Sequence, residues 1–386
     1  MLNKTLKFAD IITFSRASSA TYWDANGILQ TAAAGEPRFD HDPVSGEGIG
    51  IIFEEQRTNL NPNSNLWNWT ESNGSGLSPD TRFVEHDVAI APDGTLTAAR
   101  ITASTGQDLQ RIFKSLSASG TFIHSVHMKA GTSNYGAIKF TTGDTMVVDL
   151  TDGSVVTVPG SQSYGVEALS NGWYRLWIEN FDTNSVCQVL LYDAVNESFT
   201  FAGEGESILV WGHQLEEGVR PTSYIPADGA TATRSADIAF VDPITPWASN
   251  QPQMTLLANW KRSLSPSTSN LTFHSLKMGP AGPISGFFGV YSAMNLLVYT
   301  GDDPVEVKNF GVVAGQTAKT AFSISGDSVV AAVNGDSLVG VPGKSYGNVV
   351  SQTRLELASG DSSGWLQNVR YFPYAMTAEQ LEEKTA

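Results

Sequence analysis

Gly343-Lys-Ser-Tyr-Gly347 has the G-x-S-x-G spacing of a hydrolase elbow, in which a strand-to-helix turn exposes a nucleophilic serine. That fold also needs a histidine later in the chain, and the last one is His274, upstream of Ser345. No strand-then-helix pattern flanks the motif, so it reads as a chance match. His124 and His127 invite a metal, but Thr121 to Met128 is strand-like and an odd spacing sends the two rings to opposite faces. His41, His86, His213 and His274 have no companion at ligand spacing. Glu54, Glu55 and Arg57 fall on an extended segment where neighbours face opposite ways, which fits a salt bridge or subunit contact better than a catalytic cluster. Cleaving a glycosidic bond takes two carboxylates about 5 to 9.5 Å apart across a groove. The chain has 39 acidic residues and no recognisable pair. No catalytic residue is assigned, and the protein is expected not to be an enzyme.

Flat aromatic rings are the better recognition groups, since their faces pack against the C–H surface of a sugar while rim groups supply hydrogen bonds. Trp67 and Trp69 lie in an Asn-rich stretch from Asn61 to Asn73, and alternate residues on an extended segment share a face. Trp23 has a similar status nearer the N-terminus. These three tryptophans are the candidate glycan contacts, against the plainer reading that they plug a domain end or interface. On that basis Trp69→Ala is expected to abolish sugar binding and leave assembly intact. No metal ligand is assigned and no cofactor is expected. A structural calcium is the one exception weighed: Asp361-Ser-Ser-Gly364 and Gly301-Asp-Asp303 offer loop carboxylates of the kind it takes.

The elements that must position these residues are strands. Charged residues make up only 16% of the chain, and 36 glycines punctuate short apolar runs, a β composition with many turns. At 386 residues the chain exceeds one sandwich core. Residues 1–60 read as an arm or small β subdomain without enough apolar residues for its own core. Residues 61–242 read as a β-sandwich, with strands at Phe122–Met128, Gly136–Phe140, Thr145–Leu150, Gly172–Glu179, Cys187–Tyr192 and Ser207–Trp211. Along Trp173 to Ile178, alternation puts Tyr174, Leu176 and Ile178 on the core face and Trp173, Arg175 and Trp177 on the other. Prolines at 243 and 246 mark a boundary, and residues 243–386 read as a second sandwich, with strands at Thr255–Trp260, Leu271–Leu276, Gly286–Tyr291, Asn295–Tyr299, Lys319–Ile324 and Val329–Val333. One helix is expected near the end. Thr377 caps it, Gln380 completes a capping box, and Met376 with Leu381 forms a hydrophobic staple.

The formal charge of -16 repels phosphate backbones and anionic membranes, which argues against nucleic-acid binding. No apolar run approaches the length of a membrane span, and the N-terminus lacks a secretion signal, so membrane insertion is not expected. The single cysteine, Cys187, sits among Val186, Val189, Leu190 and Leu191 and reads as a small packed hydrophobe.

Three motifs come in a fixed order: Phe14-Ser-Arg-Ala-Ser-Ser-Ala-Thr-Tyr-Trp-Asp-Ala-Asn-Gly27, Pro37-Arg-Phe-Asp40 and Glu54-Glu-Gln-Arg-Thr-Asn-Leu60. This order resembles tail-fibre, spike and decoration proteins of tailed bacteriophages. Val148-Asp-Leu-Thr-Asp-Gly153, Asn171-Gly-Trp-Tyr-Arg175 and Val210-Trp-Gly-His-Gln-Leu-Glu-Glu-Gly218, continuing through Ser223-Tyr-Ile-Pro226 to Thr233-Arg-Ser-Ala-Asp237, resemble a phage module related to carbohydrate-binding sandwiches. At His213 the family commonly has a smaller residue. The chain's ending, Gly364 to Leu381, resembles the close of laminin-G or concanavalin-like domains. The resemblance implies an all-β fold of an N-terminal attachment segment and two antiparallel jelly-roll or concanavalin-like sandwiches. It further implies a virion subunit assembled in the bacterial cytoplasm, bound to other virion proteins, forming a homo-oligomer with a trimer favoured, and adhering to host surface polysaccharide without cleaving it. The alternatives are a purely structural head or tail decoration protein and a polysaccharide depolymerase.

Overall fold

The computed structural model describes residues 12–65, 70–72, 84–116, 120–140, 145–160, 163–182, 185–241, 253–262, 273–278, 287–291, 295–300, 303–309, 317–325, 328–339, 355–359 and 363–386. Among the described residues the chain is all β apart from a short 3-10 turn and one C-terminal helix, and every strand pairing is antiparallel.

Two six-stranded sheets build the first sandwich. One has the order Val155–Thr157, Thr145–Asp149, Tyr135–Lys139, Ser185–Leu191, Arg111–Leu116, Thr70–Ser72; the other runs Tyr164–Ala168, Trp173–Asp182, Gly120–Ala130, Ser207–Glu217, Leu96–Thr102, Val84–Ile90. Alternate residues fill the space between them. Ile138, Met146, Val148 and Val189 come from the first sheet and Phe122, Val126, Leu176, Ile178 and Val210 from the second, all in one buried cluster. The strand runs expected here from alternation coincide with observed strands to within a few residues at their ends, except that the run from Ser207 continues past Trp211 to Glu217.

The second sandwich has two seven-stranded sheets, and both recruit strands from the N-terminal segment. Thr13–Ser15 pairs with Ile238–Val241 at the edge of one sheet, and Phe39–His41 and Gly48–Phe53 extend the other beyond Gly364–Phe372. Ile51 and Phe53 are buried in the same core as Leu256, Trp260, Phe322 and Leu366. The apolar residues of the described part of this N-terminal segment are shared between cores: Ile12, Phe14, Ile51 and Phe53 pack with residues 239–366, whereas Trp23 and Leu29 pack with Trp173, Trp211 and Tyr224 and Leu60 packs on the core of the first sandwich. Hydrogen-bonded sheets therefore cross both of the boundaries drawn at residues 60 and 242.

Helix α1 (Ala378–Thr385) closes the chain as its capping residues require. Gln380 N donates to Thr377 Oγ1 at 3.3 Å and Thr377 N donates to Gln380 Oε1 at 2.9 Å, while Met376 and Leu381 are buried together against Leu257, Ala321 and Ala332. Thr377→Ala removes one acceptor and is expected to cost about 1 kcal/mol, read as a lower midpoint in urea unfolding at unchanged slope.

Candidate functional site

The motif residues that mark the N-terminal segment converge on a buried charge network. Arg38 Nη1 donates to Glu54 Oε2 at 2.7 Å and Arg38 Nη2 donates to Asp237 Oδ2 at 2.6 Å. Arg16 Nη1 reaches the other oxygen of Asp237 at 3.0 Å, and Arg234 Nη1 lies 2.9 Å from Glu54 Oε2. Ser223 adds its backbone N–H and its hydroxyl to the two oxygens of Glu54, at 2.7 and 2.6 Å. Three guanidinium groups thus share two carboxylates with almost no access to water, which stitches residues 16, 38 and 54 to the 223–237 segment. Asn59 performs a neutral version of the same task. Its Nδ2 donates to Ser64 Oγ and to the carbonyl of Ile225, and its Oδ1 accepts from Asn61 N and Leu215 N.

Glu54 and Ser223 of the network also line a cleft of about 140 Å³. The second sheet of the first sandwich presents Trp177, Arg175, His127 and Glu167 to it, the Ala20–Trp23 strand presents Tyr22 and Trp23, and the Gly364–Phe372 strand presents Trp365. Asp40 braces two of the aromatic walls: Oδ1 accepts Trp23 N at 2.7 Å and Oδ2 accepts Trp365 Nε1 at 2.7 Å. The Arg220 guanidinium lies 5.3 Å from the Trp177 ring centroid, within cation–π range. Arg175 is held from behind by donating to Thr222 O at 2.8 Å and Ser125 Oγ at 3.0 Å. Trp177 Nε1 is a buried donor with no hydrogen-bond partner among the described residues.

Trp177 keeps its place because Gly165, opposite it on the neighbouring strand, has no side chain. A Cβ there would meet the indole at 2.6 Å. Gly165→Ala is expected to displace the ring and cost about 1–3 kcal/mol of stability, with a shifted tryptophan emission maximum as the spectroscopic check.

The cleft's charges differ in character. Burial alone would raise Glu54, but Arg234, Arg38 and the two Ser223 bonds overcome it and hold the carboxylate ionised down to about pH 2. Burial raises Asp40 against the pull of its Trp23 and Trp365 hydrogen bonds. Burial likewise raises Glu167 above the usual carboxylate range despite Arg175 and Arg220. His127, buried and near Arg175, is pushed down to about 3 and is neutral at physiological pH.

Of the three candidate tryptophans, Trp23 is half-buried in the cleft wall, in contact with the cluster of Leu29, Trp173, Trp211 and Tyr224. Trp67 and Trp69 lie outside the described residues, as do the Gly343–Gly347 motif, Gly301, Asp302 and Asp361. The alternation argument correctly put Trp173, Arg175 and Trp177 on the face away from the core, but that face is not open. Residues 20–29 and 221–225 cover it, leaving Trp173, Arg175 and Trp177 at 2, 7 and 3% exposure. Glu54 and Glu55 do face apart: Glu54 enters the network, while Glu55 pairs with Arg57 at 2.8 Å. Sequence reasoning missed Trp365 and Glu167. The signal available for Trp365 was the resemblance of its strand to a sandwich close, which says nothing of what that strand faces; Glu167 carried no signal.

No family model matches the sequence, and no curated protein does. Among solved structures, a native heptameric SAP-like pentraxin from Limulus polyphemus aligns at 12% identity over 35% of this chain and 70% of that one, with a TM-score of 0.29. Chicken galectin 2 aligns at 10% identity over 34% of this chain and 97% of its own, with a TM-score of 0.25. The full extracellular region of zebrafish Gpr126/Adgrg6 aligns at 10% identity over 74% of this chain and 37% of that one, with a TM-score of 0.28. At such scores the likeness carries no argument about what this chain binds.

Proposed function

We propose that the protein is a glycan-binding subunit of a tailed-phage particle that adheres to host surface polysaccharide without cleaving it. The observation that carries the binding reading is the cleft lined by Trp23, Trp177 and Trp365 together with the polar groups of Arg175, Arg220, Asp40 and Glu167. Aromatic faces take a sugar's C–H surface, and polar groups with a buried, unused indole N–H take its hydroxyls. The volume is well below the roughly 300–1,000 Å³ of sites for drug-sized ligands, so the ligand is a single sugar unit or chain end. Affinity for one unit is weak, and many copies on one particle make adhesion durable by avidity. The virion assignment rests on the order of the N-terminal motifs; oligomerisation, a trimer by family resemblance, supplies the multiplicity.

A glycan-cleaving enzyme is the second reading, favoured by Asp40 and Glu167 lining one cleft, both with raised pKa values. The hydrogen bonds argue against it. Asp40 engages both oxygens in bracing Trp23 and Trp365, and Glu54 is committed to Arg38, Arg234 and Ser223, which leaves Glu167 without a second free carboxylate. Purified protein incubated with isolated host surface polysaccharide is expected to bind saturably and leave chain length unchanged. Shortened chains would make it an enzyme, and absence of binding would leave a structural decoration subunit as the account.

A further inference from the structure

A second polar cluster lies between the two sheets of the first sandwich, on the opposite side of the sheet from the cleft. His124 projects from Gly120–Ala130, His213 from the adjacent Ser207–Glu217 strand, and Cys187 from Ser185–Leu191 in the facing sheet. All three are fully buried. The two imidazole rings are centred 4.7 Å apart, and one donor atom from each of the three residues lies within 4.8 Å of the others. Neither ring nitrogen of His124 has a hydrogen-bond partner among the described residues. A polar ring so placed in an apolar core is destabilising unless something else binds it.

His213 reaches this position through a break in strand alternation. Ile208, Val210 and Leu215 point into the core, which no unbroken alternation allows, and the register with Gly120–Ala130 shifts between Ser125 and His127. Gly212, at φ 62°, supplies the extra residue of that bulge. Unbroken alternation from Val210 onward would turn His213 to the cleft side instead.

We propose that His124, Cys187 and His213 form a three-coordinate site for a soft monovalent cation, copper(I), that ties the two sheets together. Two imidazoles and a thiolate are a donor set for copper(I) or zinc. Charge and coordination number separate the two. With neutral imidazoles, copper(I) and one thiolate sum to zero, which an apolar core tolerates, whereas zinc(II) would leave a net positive charge there. Zinc also takes four ligands, and among the described residues no fourth His, Cys, Asp or Glu joins these three. On binding, a copper–sulfur bond forms as the thiol S–H breaks, the proton leaves to solvent, and no oxidation state changes. Metal–ligand bonds of about 2.0–2.3 Å, as for zinc, require the side chains to close inward by about 1 Å.

The full chain refolded without oxygen in the presence of copper(I) buffered by bicinchoninate, then desalted, is expected to retain about one copper per chain. Its copper-edge X-ray absorption is expected to show mixed nitrogen and sulfur ligation. Cys187→Ala and His124→Leu are each expected to lower affinity by about 100-fold or more, and zinc(II) is expected to compete poorly. An unloaded wild type, unchanged loading of Cys187→Ala, or preference for zinc would overturn the assignment. If the variants fail to fold, the wild-type spectrum decides alone: a metal without sulfur ligation, or no metal, refutes the site.

Discussion

Replacing Arg38 by alanine is expected to destabilise the protein by about 3–5 kcal/mol, enough to unfold a domain of ordinary stability at 37 °C. The expected loss is large because of what is left behind, not because the ion pairs are intrinsically strong. Arg38 is fully buried and bonds Glu54 at 2.7 Å, Asp237 at 2.6 Å, the carbonyl of Thr21 at 3.0 Å and the hydroxyl of Ser223 at 2.9 Å. Truncation leaves two buried carboxylates short of a partner and opens a cavity between the N-terminal segment and the 223–237 segment. The internal control is Arg100, whose 3.1 Å pair with Glu85 is exposed at both ends; Arg100→Ala is expected to cost less than about 1 kcal/mol. Urea unfolding of both variants, with the slope checked for two-state behaviour, measures the contrast. Equal losses would mean that the network does not hold the fold together.

The second large effect is acid instability beginning well above the range of carboxylate titration. His124 and His127 are pushed down to about 3 by burial, with Arg175 adding to the effect at His127, and burial with His124 nearby holds His213 well below its usual value. A base whose folded pKa lies below its unfolded value of 6.5 binds its proton more readily in the unfolded chain. Stability is therefore complete above pH 6.5 and falls as pH drops toward 3. Each histidine contributes up to about 1.4 kcal/mol per pH unit within that window, so the three together approach about 4. Asp40, Glu55 and Glu167 act in the opposite sense, because their raised pKa values favour the folded state on acidification. Glu54 rejoins the histidines below pH 4.5, its contribution being lost as pH falls toward about 2. Metal-free protein, unfolded in urea at half-unit steps from pH 7.5 to 4.5, is expected to lose several kcal/mol over the window. His127→Gln is expected to lower the slope by about one proton. A flat profile would contradict the buried, neutral state of these rings.

Where the sequence is informative, it is so locally. Strand runs such as Phe122 to Met128 follow from alternation, and the end of α1 follows from Thr377 and Gln380 because a capping box needs only three residues of spacing. What stayed hidden depends on contacts between distant parts of the chain. Arg16 meets Asp237 across 221 positions, and Arg38 meets Asp237 across 199, so no spacing rule reveals that the N-terminal motifs form one ion network. The odd spacing of His124 and His127 separates their faces as expected. Their true neighbours come from strand order and from a bulge: His213 beside His124, Trp211 and Tyr224 beside His127. Of the candidate glycan contacts, Trp23 sits in the cleft wall, and its tryptophan companions there, Trp177 and Trp365, come from strands more than 150 residues away.

The central claim is that Trp23, Trp177 and Trp365 bind a sugar. It is tested most directly by titrating host surface polysaccharide fragments into wild type, Trp23→Ala and Trp365→Ala, with folding of each checked by circular dichroism. Loss of about 1–3 kcal/mol of binding free energy, tenfold or more in affinity, is predicted for each folded variant. Wild-type affinity in both variants would contradict the account and move the binding surface away from this cleft.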